Sequence, residues 1–110
     1  MVNEFLQGEL LFVDFEPHVG REPSKYRADV VVSSDELDRR SSICMAVPVT
    51  STDNGHPFHV PIDCGGVFGW ACVEQKKGLD LRARRCRKVG GLSFFEMDEI
   101  LTRVGAIFDI

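Results

Sequence analysis

A chain of 110 residues, 44% hydrophobic and 27% charged, has room for one hydrophobic core, so a single domain over residues 1–110 is expected. That balance excludes a disordered chain, and no apolar run approaches the roughly 20 residues of a membrane span. The net charge of −4 argues against a protein that coats nucleic acid non-specifically, yet residues 76–88 hold seven basic side chains and one acid, Asp80. The local balance is +6, leaving −10 for the rest. Such a stripe fits selective anion binding, and a solvated strand face would give the same charge pattern.

In chain order, residues 8–15 read as a first strand, rich in aromatic and aliphatic side chains. Residues 16–26 contain Pro17, Gly20 and Pro23 among mixed charges and read as a loop, long enough to be a functional one. Val30-Val31-Val32 marks a second strand over residues 27–33. Ser34 is placed to cap a short helical turn running to Arg40. Residues 43–50 read as a third strand whose end Pro48 demotes to an edge or a bulge.

Asp53-Asn54-Gly55 signals a turn, followed by a short strand over residues 57–62 and a second turn over residues 63–66. Residues 67–75 and 81–89 read as two further strands around Lys77-Gly78, and Gly90-Gly91 breaks the chain. Ser93 and Glu96 then form a capping box. Phe94, Met97, Leu101, Val104 and Phe108 recur at helical spacing, with Ile100 and Ile107 widening the stripe, so the last element is a helix packed by one face on the sheet. The sum is a mostly β protein of the α+β class: a small barrel-like sheet of antiparallel strands with a C-terminal helix.

Cys44, Cys64, Cys72 and Cys86 are separated by 20, 8 and 14 residues, and His59 near Cys64 is not a zinc spacing. Cys44, Cys72 and Cys86 sit in apolar or strand-like runs and read as small buried hydrophobes. No metal site, metal cofactor or other cofactor is expected, because no carboxylate or histidine cluster is visible. His18, His56 and His59 read as ordinary loop or strand residues. Residues 1–7 have no basic and apolar leader pattern, so a cytoplasmic location is expected.

Five blocks in order resemble the MazF/PemK toxins from Gly8 to about Ile107. They are Gly8-Glu9; Val13-Asp14-Phe15-Glu16-Pro17 with Gly20, Glu22 and Arg27; Val31-Val32-Ser33; Val47-Pro48-Val49-Thr50 with Gly55-His56-Pro57-Phe58; and Glu74-Gln75 with Arg82-Ala83-Arg84. The chain departs from the family pattern at Ala28, Asp29, Leu81 and Glu74, where proline, an apolar residue, tryptophan and aspartate are usual.

The resemblance implies an SH3-like, MazF-type barrel and a toxin of a type II toxin-antitoxin system. Its implied activity is metal-independent, sequence-specific endoribonuclease cleavage of single-stranded mRNA. Arg27 and Thr50 match the family's catalytic pair. Arginine offers a rigid fork of donors to phosphate oxygens and stays charged, and a threonine hydroxyl can donate to another. Arginine is a poor proton donor, which leaves His18 and Glu74 as candidate general acid or base. The alternative reading of Glu74 is a buried partner for an arginine of residues 82–84.

An RNA groove is expected from the 16–26 loop, residues 51–54 and the segment around 74–77. The contacts named are Glu22, Tyr26, Ser51, Thr52, Gln75, Lys76, Lys77, Arg82 and Arg84, with Tyr26 and Phe58 available to stack on bases and Phe58 better suited to the core. The implied partners are a cognate acidic antitoxin and a second copy of the chain, with no membrane and with DNA reached only through the antitoxin complex. Two alternatives share the architecture: a gyrase-poisoning toxin and a non-catalytic binding module. Gyrase-poisoning toxins end in Trp-Gly-Ile, whereas this chain ends in Phe108-Asp109-Ile110, and the presence of Arg27 with Thr50 favours the nuclease.

Overall fold

The computed structural model describes residues 5–14, 26–41, 43–81 and 85–108, and of Tyr26 and Arg39 the backbone alone. Among the described residues, seven strands and two α-helices follow in the order β1 (Glu9–Asp14), β2 (Tyr26–Val31), α1 (Asp35–Arg40), β3 (Ile43–Thr50), β4 (His59–Cys64), β5 (Val67–Cys72), β6 (Lys77–Asp80), β7 (Cys86–Gly91) and α2 (Phe94–Ile107). A 3-10 turn, Val73–Gln75, links β5 to β6. The strands form one antiparallel sheet, β4-β5-β3-β2-β1-β7, with β6 paired to β3, and the sheet curls into a half-barrel. No helix among the described residues is long and apolar enough to cross a membrane.

Both faces of the sheet are buried, and strand alternation explains why. Leu10, Val30, Val32 and Val47 face α2, where they meet the fully buried Ile100. Leu11, Val13, Val31, Cys44 and Ala46 face the other way and pack with Leu79 and Leu81. Burying a Leu or Val side chain contributes roughly 1.5–3 kcal/mol, so each face is a core in its own right.

The helix starts match the sequence reading. Ser34 accepts from the Leu37 amide, and Ser93 and Glu96 close a reciprocal capping box. The stripe on α2 is narrower than expected: Met97, Leu101, Val104 and Ile107 pack on the core, but Phe94 and Phe108 are 88% and 64% exposed. Both occupy the ends of the helix, where the sheet no longer faces it.

Three other expectations need correction. Pro48 lies inside the sheet, opposite Asp29 of β2. The sheet tolerates it because its other side is where β3 exchanges partners, pairing β6 up to Ala46 and β5 from Val49. Lys77-Gly78 is part of β6, so the turn falls earlier, at the 3-10 segment. The strand expected over residues 81–89 shrinks to β7, which continues through Gly90-Gly91, with residues 82–84 outside the described set. The turn between β4 and β5 falls within the expected segment but is narrower: Asp63 and Cys64 belong to β4, and Gly65 and Gly66 have φ of 58° and 86°, which suits a two-residue hairpin.

Candidate active site

Register brings Arg27 and Thr50 together. The β2–β3 ladder pairs Val31 with Ala46, Val30 with Val47 and Asp29 with Pro48. Continued by two residues, it sets Arg27 level with Thr50, on the face turned away from α2. The next strands extend the row: β5 pairs with the end of β3 at Val49 and Thr50, and Cys72 of β5 pairs with His59 of β4. A cleft of about 350 Å³ opens here, lined by Arg27, Pro48, Thr50, Thr52, His59 and Gln75, with Asn54 and Cys72 completing the wall.

The Thr50 hydroxyl oxygen accepts from the Thr52 amide at 3.2 Å. Its own proton is left to donate. The Arg27 side chain is 43% exposed and lies 3.8 Å from the Asp29 carboxylate, whose side chain is only 1% exposed. Neither Asp29 oxygen has a hydrogen-bond partner among the described residues. Burial pushes its carboxyl up to about 7, against the opposing pull of Arg27 and Lys77. A buried acid therefore sits directly beneath the cleft arginine.

On the opposite wall His59 Nε2 meets Glu74 Oε2 at 2.9 Å. Burial disfavours the Glu74 anion, but hydrogen bonds from His59, from its own backbone and from Gln75 outweigh it and hold the carboxyl below its ordinary range. The His59 ring is almost wholly buried, its Nδ1 has no partner among the described residues, and it stacks on His56 with centroids 4.7 Å apart. The expectation of no histidine–carboxylate cluster is thus corrected. His56, His59 and Glu74 each offer one ligand atom, and the three atoms lie within 4.8 Å of one another. The segments are distant in sequence and meet only because β4 and the 3-10 turn flank the same end of β5.

Of the residues singled out from sequence, Arg27, Thr50, Thr52 and Gln75 share the cleft, and Ser51 is exposed between two of them. Glu74 stands behind His59 and pairs with it, while the arginines considered as its partners, Arg82 and Arg84, lie outside the described residues. Lys76 extends over the Phe108 ring at 4.6 Å, and Lys77 is exposed at the start of β6. Phe58 is half-buried against the core. Tyr26 opens β2 opposite Asp14, its side chain outside the described set, as are His18, Glu22, Arg82 and Arg84. His59 and Cys72 were read as bland, because nothing in local sequence reveals that both share a face with Thr50. Cys44, Cys64 and Cys72 are buried free thiols, and Cys86 is half-buried.

The basic stripe is divided. Lys88 pairs with Glu9 at 2.8 Å, and Arg87 lies over the Phe12 ring at 5.1 Å. Phe12, Arg85, Cys86 and Arg87 line a second cleft of about 480 Å³.

Residues 6–108 match the family described as PemK-like, MazF-like toxin of type II toxin-antitoxin system, and the chain belongs to that family. It is 30% identical over 109 residues to the endoribonuclease toxin MazF of Escherichia coli K12, covering 97% of this chain and 98% of that one. The endoribonuclease toxin ChpB of the same organism is 28% identical over 112 residues, with 97% of each chain covered. The crystal structure of MazF from Deinococcus radiodurans superimposes with a TM-score of 0.80 at 26% identity, over 96% of each chain. A MazE–MazF structure from that organism gives 0.82 at 26% identity, over 94% of each.

Proposed function

We propose that this protein is the endoribonuclease toxin of a type II toxin-antitoxin system, cutting single-stranded mRNA at specific sequences without a metal and so stopping translation and growth. The observation that carries the reading is the shared cleft of Arg27 and Thr50, each from a different strand. Cleavage by the RNA's own 2′-hydroxyl needs an aligned nucleophile, donors for the charge on the phosphorane oxygens and a proton for the departing 5′-oxygen. Arg27 supplies a permanent charge and a fork of N–H donors; the Thr50 hydroxyl, turned by the Thr52 amide, supplies another donor. Among the described residues, the His59–Glu74 pair is the group beside them that is suited to carry the proton. Products carry a 2′,3′-cyclic phosphate and a 5′-hydroxyl.

Thr52, Gln75 and Asn54 border the cleft and suit contact with base edges. An acidic antitoxin is the partner, in keeping with the MazE–MazF complexes of the D. radiodurans relative. The working form is a cytoplasmic homodimer. Incubating a long RNA with the protein in EDTA and mapping the ends tests the reading. Cyclic phosphate ends are expected; cleavage that stops in EDTA and returns with magnesium would overturn the mechanism.

A further inference from the structure

We propose that His56, His59 and Glu74 form a binding site for a zinc ion at the edge of the cleft that His59 lines, and that the ion switches the nuclease off. The inhibitory half rests on the nuclease reading above; the binding half does not.

Two imidazoles and one carboxylate are a ligand set that suits zinc and is poor for magnesium, which demands oxygen ligands in octahedral array. Tetrahedral zinc holds its ligand atoms about 3.3 Å apart. His59 Nε2 and Glu74 Oε2, at 2.9 Å, are nearly there already, and the third atom lies within 4.8 Å. His56 closes the remaining gap, because it sits in the irregular segment before β4. Its Nδ1 now accepts from the Phe58 amide, a bond given up when the ring turns to the metal.

Zinc ligands of this kind usually have their second ring nitrogen anchored to a carbonyl or carboxylate. Among the described residues no group anchors the buried His59 Nδ1, so the site lacks the outer support that holds a resident zinc tightly and its occupancy is reversible. Zinc between His59 and Glu74 replaces the proton they share. The pair then carries no proton to the RNA, and a dication is held by His59, which lines the same cleft as Arg27 and Thr50.

The test titrates the full chain, stripped of metal and free of RNA, with zinc chloride by calorimetry, with magnesium as control. One zinc per chain is expected, with a dissociation constant on the order of micromolar. His56→Ala should weaken binding at least about tenfold while leaving zinc-free cleavage within about twofold of wild type. Zinc should slow wild-type cleavage, EDTA should restore it, and His56→Ala should resist the same zinc concentration. Cobalt offers a second readout: a tetrahedral visible spectrum in wild type that is lost in His56→Ala. Absence of zinc binding, or unchanged binding by the variant, overturns the site. Equal inhibition of wild type and variant, or stimulation by zinc, overturns the switch. A protein that binds zinc but cuts no RNA would keep the site and refute the nuclease reading.

Discussion

In the proposed reaction Arg27 offers its fork of N–H donors to a phosphorane that gains charge only in the transition state. Arg27→Ala should therefore lower cleavage by roughly 10²–10³-fold in a chain with an unchanged circular dichroism spectrum. Arg27→Lys should rescue poorly, because one ammonium cannot reproduce the fork; near-normal turnover by folded Arg27→Ala would assign the residue to structure. Asp29 gives a second prediction at this scale. Its carboxyl rises from 3.8 to about 7 on folding, so the folded state disfavours the anion. Its contribution to stability is best below the unfolded value, falls as pH rises from about 4 to 7, and is level above; the loss is on the order of a few kcal/mol. Asp29→Asn should flatten that slope, and thermal melts between pH 4 and 8 would show it. A parallel slope in the variant would place the acid elsewhere. Arg27 and Thr50, which share the cleft, could be singled out because each stands in a block of residues shared with a family; the place of His59 in that cleft could not, since it depends on a register that spans three strands.

The elements were legible wherever the signal was local. The capping box on α2 is two residues three apart, and Ser93→Ala should cost about 1 kcal/mol and lower the melting temperature by several degrees. An unchanged melt would mean that the helix end is held by other contacts. Non-local facts were hidden: Pro48 reads as an edge residue until the exchange of partners along β3 is known, and Phe94 and Phe108 fit the stripe but overhang the sheet. Gly69 links an element to the site. A Cβ there would stand 2.6 Å from the Thr50 carbonyl oxygen and 2.7 Å from Val49, so β5 approaches the end of β3 more closely than any side chain permits. Gly69→Ala should push Thr50 out of line, reducing cleavage and destabilising the fold by roughly 1–3 kcal/mol. Wild-type rate and melt together would show that the strands yield freely.

Across the molecule, an acidic average surrounds a basic segment of which Lys77 lies in β6 and Arg87 and Lys88 in β7. Arg85 and Arg87 beside Phe12 pair charge with an aromatic surface, which suits a nucleic-acid backbone or an acidic tail. Neutralising both to glutamine in a Thr50→Ala background should weaken RNA binding and lower its salt dependence; identical slopes would exclude this surface as the RNA path. The barrel class and closing helix were readable from strand spacing and the helical stripe. The distribution of the basic residues was not, because Lys88 and Arg87 are committed to Glu9 and Phe12 on a neighbouring strand. The central claim, that the Arg27–Thr50 cleft drives attack by the RNA's own 2′-hydroxyl, is tested most directly on a short RNA carrying one mapped cleavage site. Replacing the single ribose 5′ of that bond by 2′-deoxyribose removes the nucleophile and leaves almost every contact in place. Complete loss of cutting at that bond, with binding retained, is the predicted result. Continued cutting there in the presence of EDTA would contradict it.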